Sequence, residues 1–279
     1  MHLVMILVAV IIACWIRNQG YQPQGSWIIR WQRSLFLFLF PPLLILMTAV
    51  ALVSMGPQGR MGQWQVSWSG YVFALIWLLL FTCVFIRLAW QGWQSLNSTR
   101  KCSQIALDGK PTRLLPTSAI FAGQIGFWHP ELVISQGMIN ALSPEHLQTV
   151  IAHEQGHYHY HDTFWFFWLG WIRCCTRWLP NTESLWQELL ILREIRADAH
   201  AALQVDPLLL AESLLLVVSD TFDTSNIVCA ALGSSGSDRL EQRIDALLSP
   251  TSSQFRIGWE SWQKFLWVLL PLATVIFHT

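Results

Sequence analysis

The segment VIAHEQGHYHYHD (150–162) contains two histidines four positions apart, with a glutamate directly after the first. A helix start is predicted just upstream, because Ser143 suits the N-cap and the Pro-Glu pair after it suits the first helical turn. On a helix, residues i and i+4 share a face about 6 Å apart. His153 and His157 can therefore bind one Zn²⁺ ion at about 2.0–2.1 Å.

Glu154 lies between these histidines in the sequence and can point toward the open position of the metal. There it would take a proton from the activated water and later give it to the leaving amine. His161 continues the same helix face, but it lies about 12 Å from His153 along the axis, too far for two ligands of one ion. His159 points elsewhere. We expect both to be surface groups or supporting groups.

The third ligand must come from a later part of the chain. The continuation HExxHxxGxxH is excluded, because Tyr160 and Thr163 occupy its glycine and third histidine positions. A glutamate on a later helix is the other solution, and LLILREIRADAHA (189–201) offers Glu194. Asp198 would then orient a histidine ring through its second nitrogen. The alternative ligands are Glu183, Glu188 and His200.

The rest of the chain is strongly apolar. Of its residues 53% are hydrophobic and 12% charged, and the formal net charge is zero, whereas an ordinary soluble domain carries roughly 25% charged residues. Without a net positive charge or a basic run, direct binding of nucleic acid is not expected. A membrane-spanning helix needs roughly 20 apolar residues, and four segments approach this length: 3–16, 34–55, 71–86 and 262–277.

The flanks of these segments predict their topology. Nothing basic precedes the first segment and Arg17 follows it, so we interpret it as a retained span rather than a signal peptide. The Pro41-Pro42 pair in the second is tolerated if neighbouring helices satisfy the freed carbonyls. The distribution of Lys and Arg places the N-terminus outside and the region from about 92 to 260 in the cytoplasm. The apolar segment 163–172 is too short to span, and suits either the membrane interface or a buried core.

The expected fold is therefore mostly α and integral to the membrane, with about four transmembrane helices and a cytoplasmic α+β zinc domain between the third and fourth. The predicted boundaries are a three-span region at 1–91, a zinc metallopeptidase domain at 92–258 and a C-terminal transmembrane helix at 259–279.

The HExxH motif followed by EIRADAHA (194–201) resembles the membrane-embedded gluzincin peptidases. The order of three spans, zinc domain and one span is similar to the BlaR/MecR-type antirepressor family. The segments FAGQIGFWHPELVISQGMINALSPEHLQTVIAHEQGHYHYHD (121–162) and RLEQRIDALL (239–248) are also similar to that family. The HtpX and CAAX-prenyl-protease type is the second resemblance. Because the chain stops at Thr279, the extracellular penicillin-binding sensor domain of antibiotic-sensing members is not expected, and a signal would come from a partner or the membrane.

The resemblance implies particular site residues. It implies one zinc ion bound by His153, His157 and Glu194, and Glu154 as the catalytic acid and base. Asp198 and Asp162 would support the ligands. A strand at 126–135, beginning with Gly126 and Phe127, would lie beside the cleft, where a peptide adds as a further strand. Three residues are open choices for stabilising the oxyanion: His200, Tyr158 and Tyr160.

The function implied is a zinc endopeptidase of the bacterial inner membrane that cleaves a BlaI-type transcriptional repressor or itself. A sensor partner or a homo-oligomer is compatible with this role. One alternative is HtpX-like quality control of membrane proteins. The other is a receptor or scaffold in which zinc only stabilises the fold, although such a site needs no general base.

Overall fold

The computed structural model describes residues 2–19, 25–57, 60–61, 64–65, 68–107, 109–224, 235–249 and 263–277. The chain is mostly helical with a small sheet. The helices are α1 (His2–Asn18), α2 (Trp27–Met55), α3 (Trp68–Arg100), α4 (Gln136–Ala141), α5 (Pro144–His159), α6 (Asp162–Cys175), α7 (Thr182–Ala201), α8 (Pro207–Thr224), α9 (Ser235–Leu248) and α10 (Leu270–Ala273). The strands are β1 (Arg60–Met61), β2 (Trp64–Gln65), β3 (Gln104–Leu107), β4 (Lys110–Leu115), β5 (Ala122–Ile125) and β6 (Glu131–Ser135).

The chain forms two compact units. The first comprises Met1–Ala89, Trp168–Leu189 and Gln254–Thr279, and the second comprises Trp90–Phe167 and Leu190–Ser253.

Two helices, α2 and α3, are long and apolar enough to cross a membrane, by length and composition. They contain the segments 34–55 and 71–86, and each has a mean hydropathy of 2.5 over its most apolar window. Their burial differs: 56% of that window is buried in α2 but only 11% in α3. The apolar helix α1 is shorter, at 17 residues.

The predicted fourth span, 262–277, is not one continuous α-helix over its described residues 263–277. Two 3₁₀ segments, Lys264–Leu269 and Thr274–Phe277, flank the four-residue helix α10. Pro271 has no amide hydrogen to donate to the carbonyl of Trp267, and that carbonyl accepts instead from the amide of Leu270. This bond is one residue shorter than an α-helical bond, so it tightens the turn to 3₁₀ geometry.

Arg17 compensates for the proline pair inside α2. Pro42 cannot donate to the carbonyl of Phe38, four residues earlier, and the Arg17 Nη2 donates to that oxygen at 3.1 Å. The Arg17 guanidinium also lies 5.4 Å from the centre of the Phe38 ring, and Arg17 is only 1% exposed. The topology argument treated Arg17 as a loop charge. The structure corrects this, because the side chain is a buried helix–helix contact.

The second unit contains a four-stranded sheet in the order β3-β4-β6-β5. β4 and β6 are parallel, whereas the outer pairs are antiparallel. The predicted strand at 126–135 is shorter than expected and has a different place: β6 lies between two neighbours, and the edge strand on this side of the sheet is β5, whereas β3 forms the opposite edge. Gly126, at φ 135°, begins the turn that joins them. A Cβ there would lie 2.9 Å from the carbonyl oxygen of His129, so the turn requires glycine at this position.

One face of the helix α5 is buried because it packs between the edge strand β5 and the helix α8. On the sheet side, a core forms from Ile134, Met138, Leu142 and Ile151. On the other side, Ala152 packs with residues of α7, α8 and α9. The polar side chains of His153, Glu154 and His157 are therefore buried within this packing.

Candidate metal centre

The helix α5 begins as predicted. Ser143 is its N-cap, and its hydroxyl accepts a hydrogen bond from the amide of His146. The helix ends at His159, earlier than expected, and His161 adopts a left-handed conformation at φ 52°. This turn brings Asp162 back toward the helix, where its Oδ2 accepts from the Nδ1 of His157 at 2.7 Å.

Three predicted ligand atoms form a small triangle. The Nε2 atoms of His153 and His157 are 3.1 Å apart. The Oε2 of Glu194 lies 3.3 Å from the first and 3.7 Å from the second. A tetrahedral zinc ion with ligands at about 2.0–2.1 Å has ligand atoms about 3.3–3.4 Å apart. The group can therefore hold a metal ion, and its spacing fits a tetrahedral one.

A close approach of α7 to α5 makes this triangle possible. A Cβ built on Gly156 would lie 3.0 Å from both the Cα and the carbonyl oxygen of Ala197. Only glycine at 156 and a small residue at 197 let the two helices come this near. The contact lies between Glu194 and Asp198 along α7, so it presents both carboxylates to the histidine pair.

Each histidine ring is held by an aspartate, which is held in turn by an arginine. Asp198 accepts from the Nδ1 of His153 at 2.7 Å and from the Nε and Nη2 of Arg243 at 2.7 and 2.8 Å. On the other side, Asp162 bonds His157 and also accepts from Arg196. Both imidazoles are thereby turned with Nε2 toward the ligand triangle, as a carboxylate–histidine–metal arrangement requires.

The charges of the site favour ionised carboxylates. Burial alone would raise the pKa of Glu194, but hydrogen bonds from His153 and His157 outweigh it and hold that pKa well below its usual value. Burial lowers the pKa of His153, yet Asp198 and Glu194 raise it to about 10 in the metal-free site. The pKa of His157 is raised for the same reason, by Asp162 and Glu194 against burial. A cation between these groups would therefore replace protons that the site already attracts.

Glu154 is 7% exposed and carries an unsatisfied oxygen. Within the part of the chain that the structure describes, its Oε2 is buried and has no hydrogen-bond partner. The residue lines a cavity of about 210 Å³ together with His153 and Arg243. The other walls are mostly apolar: Ile120, Phe121, Ala122, Met138, Val150, Leu210, Leu214 and Val217. A free carboxylate oxygen beside the metal ligands is suited to proton transfer.

The alternative ligands lie elsewhere. Glu188 forms an ion pair with Arg30 at 2.7 Å, and Glu183 forms one with Arg173 at 2.7 Å. The ring of His200 stacks on that of His159 with centroids 4.7 Å apart.

The remaining residues that were predicted to contact substrate or the oxyanion are Tyr158, Tyr160, Gly126 and Phe127. Tyr158 is exposed, whereas the ring of Tyr160 lies 4.3 Å from the Arg196 guanidinium. Gly126 is in the β5–β6 turn. Phe127, beside it, packs its ring on Phe164 with centroids 4.8 Å apart.

Sequence reasoning assigned no role to Arg243, Arg196 or Gly156. The resemblance included the RLEQRIDALL segment, which contains Arg243, but nothing in its spacing relates it to Asp198. Gly156 is one of the two variable positions of HExxH, so the motif does not require a glycine there. Only a helix-packing argument from the small residues Gly156 and Ala197 would have pointed there.

Comparison of this chain with protein-family models, with curated proteins and with solved structures finds no match.

Proposed function

We propose that this chain is a membrane zinc endopeptidase of the BlaR/MecR-like type, with its active site facing the cytoplasm of a bacterial cell. The observation that carries the proposal is the unpartnered Oε2 of Glu154, a residue that lines one cavity with His153, a member of the triangle of ligand atoms. A structural zinc site is closed by four protein ligands and needs no such base. Three ligands and a free carboxylate are the composition of a hydrolytic site.

Each residue of the site would have a defined task. When bound, zinc would polarise a peptide carbonyl and lower the pKa of a water molecule. Glu154 would accept the water proton at Oε2 and deliver it to the amide nitrogen as the C–N bond breaks. Asp198 and Asp162 would keep both imidazoles oriented throughout, and Arg243 would keep Asp198 ionised and in place.

The edge strand β5 is the site where a peptide would bind. Its hydrogen bonds to β6 use one side only, and an extended peptide can add to the other side through backbone hydrogen bonds. Gln124 connects this strand to the catalytic helix, because its Nε2 donates to the backbone oxygen of Glu154 at 3.2 Å. An apolar side chain of the bound peptide would enter the cavity beside Glu154.

By resemblance, the substrate is a BlaI-type repressor or the chain itself, and the signal comes from a sensor partner or a second copy. The proposed location is the bacterial inner membrane, with the N-terminus outside: the two apolar helices α2 and α3 support membrane association, and the distribution of Lys and Arg favours this orientation.

The test compares wild type with Glu154→Gln, both purified in lipid nanodiscs. Bound zinc is counted, and cleavage of a repressor encoded beside the gene is followed. We expect about one zinc per chain in both proteins and a loss of cleavage of about 10²–10⁴-fold in the variant. Glu145→Gln is the matched control, because Glu145 is an exposed carboxylate in the first turn of the same helix, and it should cut like wild type.

Three outcomes would contradict the proposal. Wild-type protein purified without chelator and free of zinc would refute the metal centre. Equal cleavage by wild type and Glu154→Gln would refute the assigned base. If both proteins hold zinc and neither cuts any repressor or itself, a scaffold role replaces the proposed one.

A further inference from the structure

The second unit exposes a cluster of aromatic rings that the metal centre does not use. It consists of Phe127 and Trp128 in the β5–β6 turn, and Phe164, Trp165 and Phe167 near the start of α6. We call this cluster the aromatic patch. Phe164 connects its parts, with ring centroids 4.8 Å from Phe127, 5.1 Å from Trp128 and 5.2 Å from Trp165. Trp128 is 71% exposed and Trp165 52%.

The chemistry of the aromatic patch is that of a membrane interface. Tryptophan concentrates where acyl chains meet headgroups, since the indole combines an apolar body with a polar N–H, and phenylalanine is typical of the apolar face of helices that lie in this interface. Neither 121–130 nor 163–172 contains an acidic residue. The nearest carboxylate in the strand that follows, Glu131, is paired with Arg113 at 2.8 Å and Arg100 at 3.1 Å.

Lipid is favoured over a protein partner because α6 continues from the aromatic patch to a candidate span. Within the first unit, Trp168 stacks on Phe85 of α3 with centroids 5.5 Å apart. Trp171 donates its Nε1 hydrogen to the carbonyl of Phe81 at 2.9 Å. Trp165 precedes Trp168 by three residues in the sequence. The segment Asp162–Cys175 thus carries both the exposed Trp165 ring and the rings that pack on α3, whose own surface is largely uncovered.

We propose that the aromatic patch inserts into the boundary between headgroups and acyl chains and holds the metal centre at the membrane surface. The connection to the metal centre is short. The helix α6 begins at Asp162, which bonds His157, and Phe164 follows after at most roughly 7 Å of chain. The edge strand β5 leads directly into the turn that carries Trp128.

This arrangement predicts a class of substrate. A peptide added to β5 would lie at headgroup level, so the preferred substrate is a juxtamembrane or membrane-bound chain segment. That part of the inference rests on the proposed peptidase activity, whereas the membrane contact does not.

The experiment places 5-fluorotryptophan-labelled full-length protein in nanodiscs of phosphatidylcholine and phosphatidylglycerol. Trp128→Phe and Trp165→Phe assign the two ¹⁹F resonances. A nitroxide on the fifth acyl carbon of the lipid probes the interface, and a soluble gadolinium chelate probes the water. Leu203→Trp adds a solvent reporter, because Leu203 is 82% exposed in the turn after α7.

We expect the lipid nitroxide to broaden the Trp128 and Trp165 resonances several-fold more than the resonance of the Leu203→Trp reporter. We expect the gadolinium chelate to broaden the reporter resonance several-fold more than the other two. Gadolinium broadening of either resonance equal to that of the reporter would overturn the proposal. Protection of both resonances from both probes would also overturn it, in favour of a protein partner or a second copy. Zinc content and cleavage are measured on the same sample. An active enzyme with a solvated aromatic patch would refute the membrane contact alone, whereas an inactive protein with a membrane-bound aromatic patch would refute the peptidase activity alone.

Discussion

Replacing Gly156 with alanine tests the idea that close helix packing builds the metal centre. The new Cβ would meet Ala197 at 3.0 Å, where ordinary contacts are 3.4–4 Å, so α7 must retreat by a few tenths of an ångström. A zinc site tolerates about 0.2 Å, and Glu194 is the ligand that moves with α7. We expect zinc affinity to fall by about 10–100-fold, or about 1.4–2.7 kcal/mol.

The stability of the metal-free protein should change much less. Overpacking costs about 1–3 kcal/mol, while alanine gains about 0.8–1.0 kcal/mol over glycine inside a helix. The net loss in free energy of unfolding is therefore about 0–2 kcal/mol.

Competition with a chromophoric chelator measures zinc affinity, and thermal unfolding in chelator measures stability. Gly92→Ala is the control: Gly92 lies inside α3, nothing lies within 4 Å of its added Cβ, and its zinc affinity should match wild type. If Gly156→Ala binds zinc within twofold of wild type, the close approach does not position Glu194 and our reasoning is refuted.

The remaining predictions concern the groups around the metal. Asp198→Asn should lower zinc affinity by about 10–100-fold. It removes the closer of the two carboxylates that pair with the half-buried Arg243 and leaves Glu194 at 3.7 Å, so it should lower the free energy of unfolding by about 1–3 kcal/mol. Asp245→Asn, at an exposed carboxylate, should change neither zinc affinity nor the free energy of unfolding. If it lowered both as much as Asp198→Asn does, the losses would not come from the metal centre. In the metal-free protein the pKa of His153 is about 10 and that of His157 is raised above 6.5, so zinc must displace at least one imidazole proton. The logarithm of zinc affinity should therefore rise by at least about one per pH unit from pH 6 to 8, and a flat profile in calorimetric titrations would contradict this. The folded-state pKa of His153 lies above the ordinary 6.5. The stability that His153 adds to the metal-free protein is therefore complete below pH 6.5 and is lost as pH rises toward 10. Denaturant unfolding at both pH limits can measure this loss.

Much of the site could be predicted because its signals are local. The i, i+4 histidines, the Ser143 cap and a glutamate on a later helix follow from helix geometry and metal chemistry alone. The structure brings His153, His157 and Glu194 together as a group that can hold a metal ion; the spacing predicted the histidine pair, and the resemblance selected Glu194 among the open alternatives. The roles of Glu154, Asp198 and Asp162 remain predictions, now with defined geometry.

The apolar segments 34–55 and 71–86 were likewise predicted from composition, since a run of apolar residues in one helix needs no partner to be recognised. The end of α5 was misplaced, because the turn at His161 is set by the bond from His157 to Asp162 rather than by local propensity. The edge strand was misplaced as well, because strand order depends on which hydrogen bonds the whole sheet satisfies.

The sequence by itself therefore determined the chemical groups available to this protein: two imidazoles and a glutamate on one predicted helix, and long apolar segments. The tertiary structure alone decided that Glu194 rather than Glu183 or Glu188 lies with the histidine pair, that Arg243 and Arg196 hold the two aspartates, and that Arg17 satisfies a carbonyl freed by Pro42. The physical reason is that these contacts join segments far apart in the chain. Their formation depends on close packing, as between Gly156 and Ala197, which no local pattern encodes.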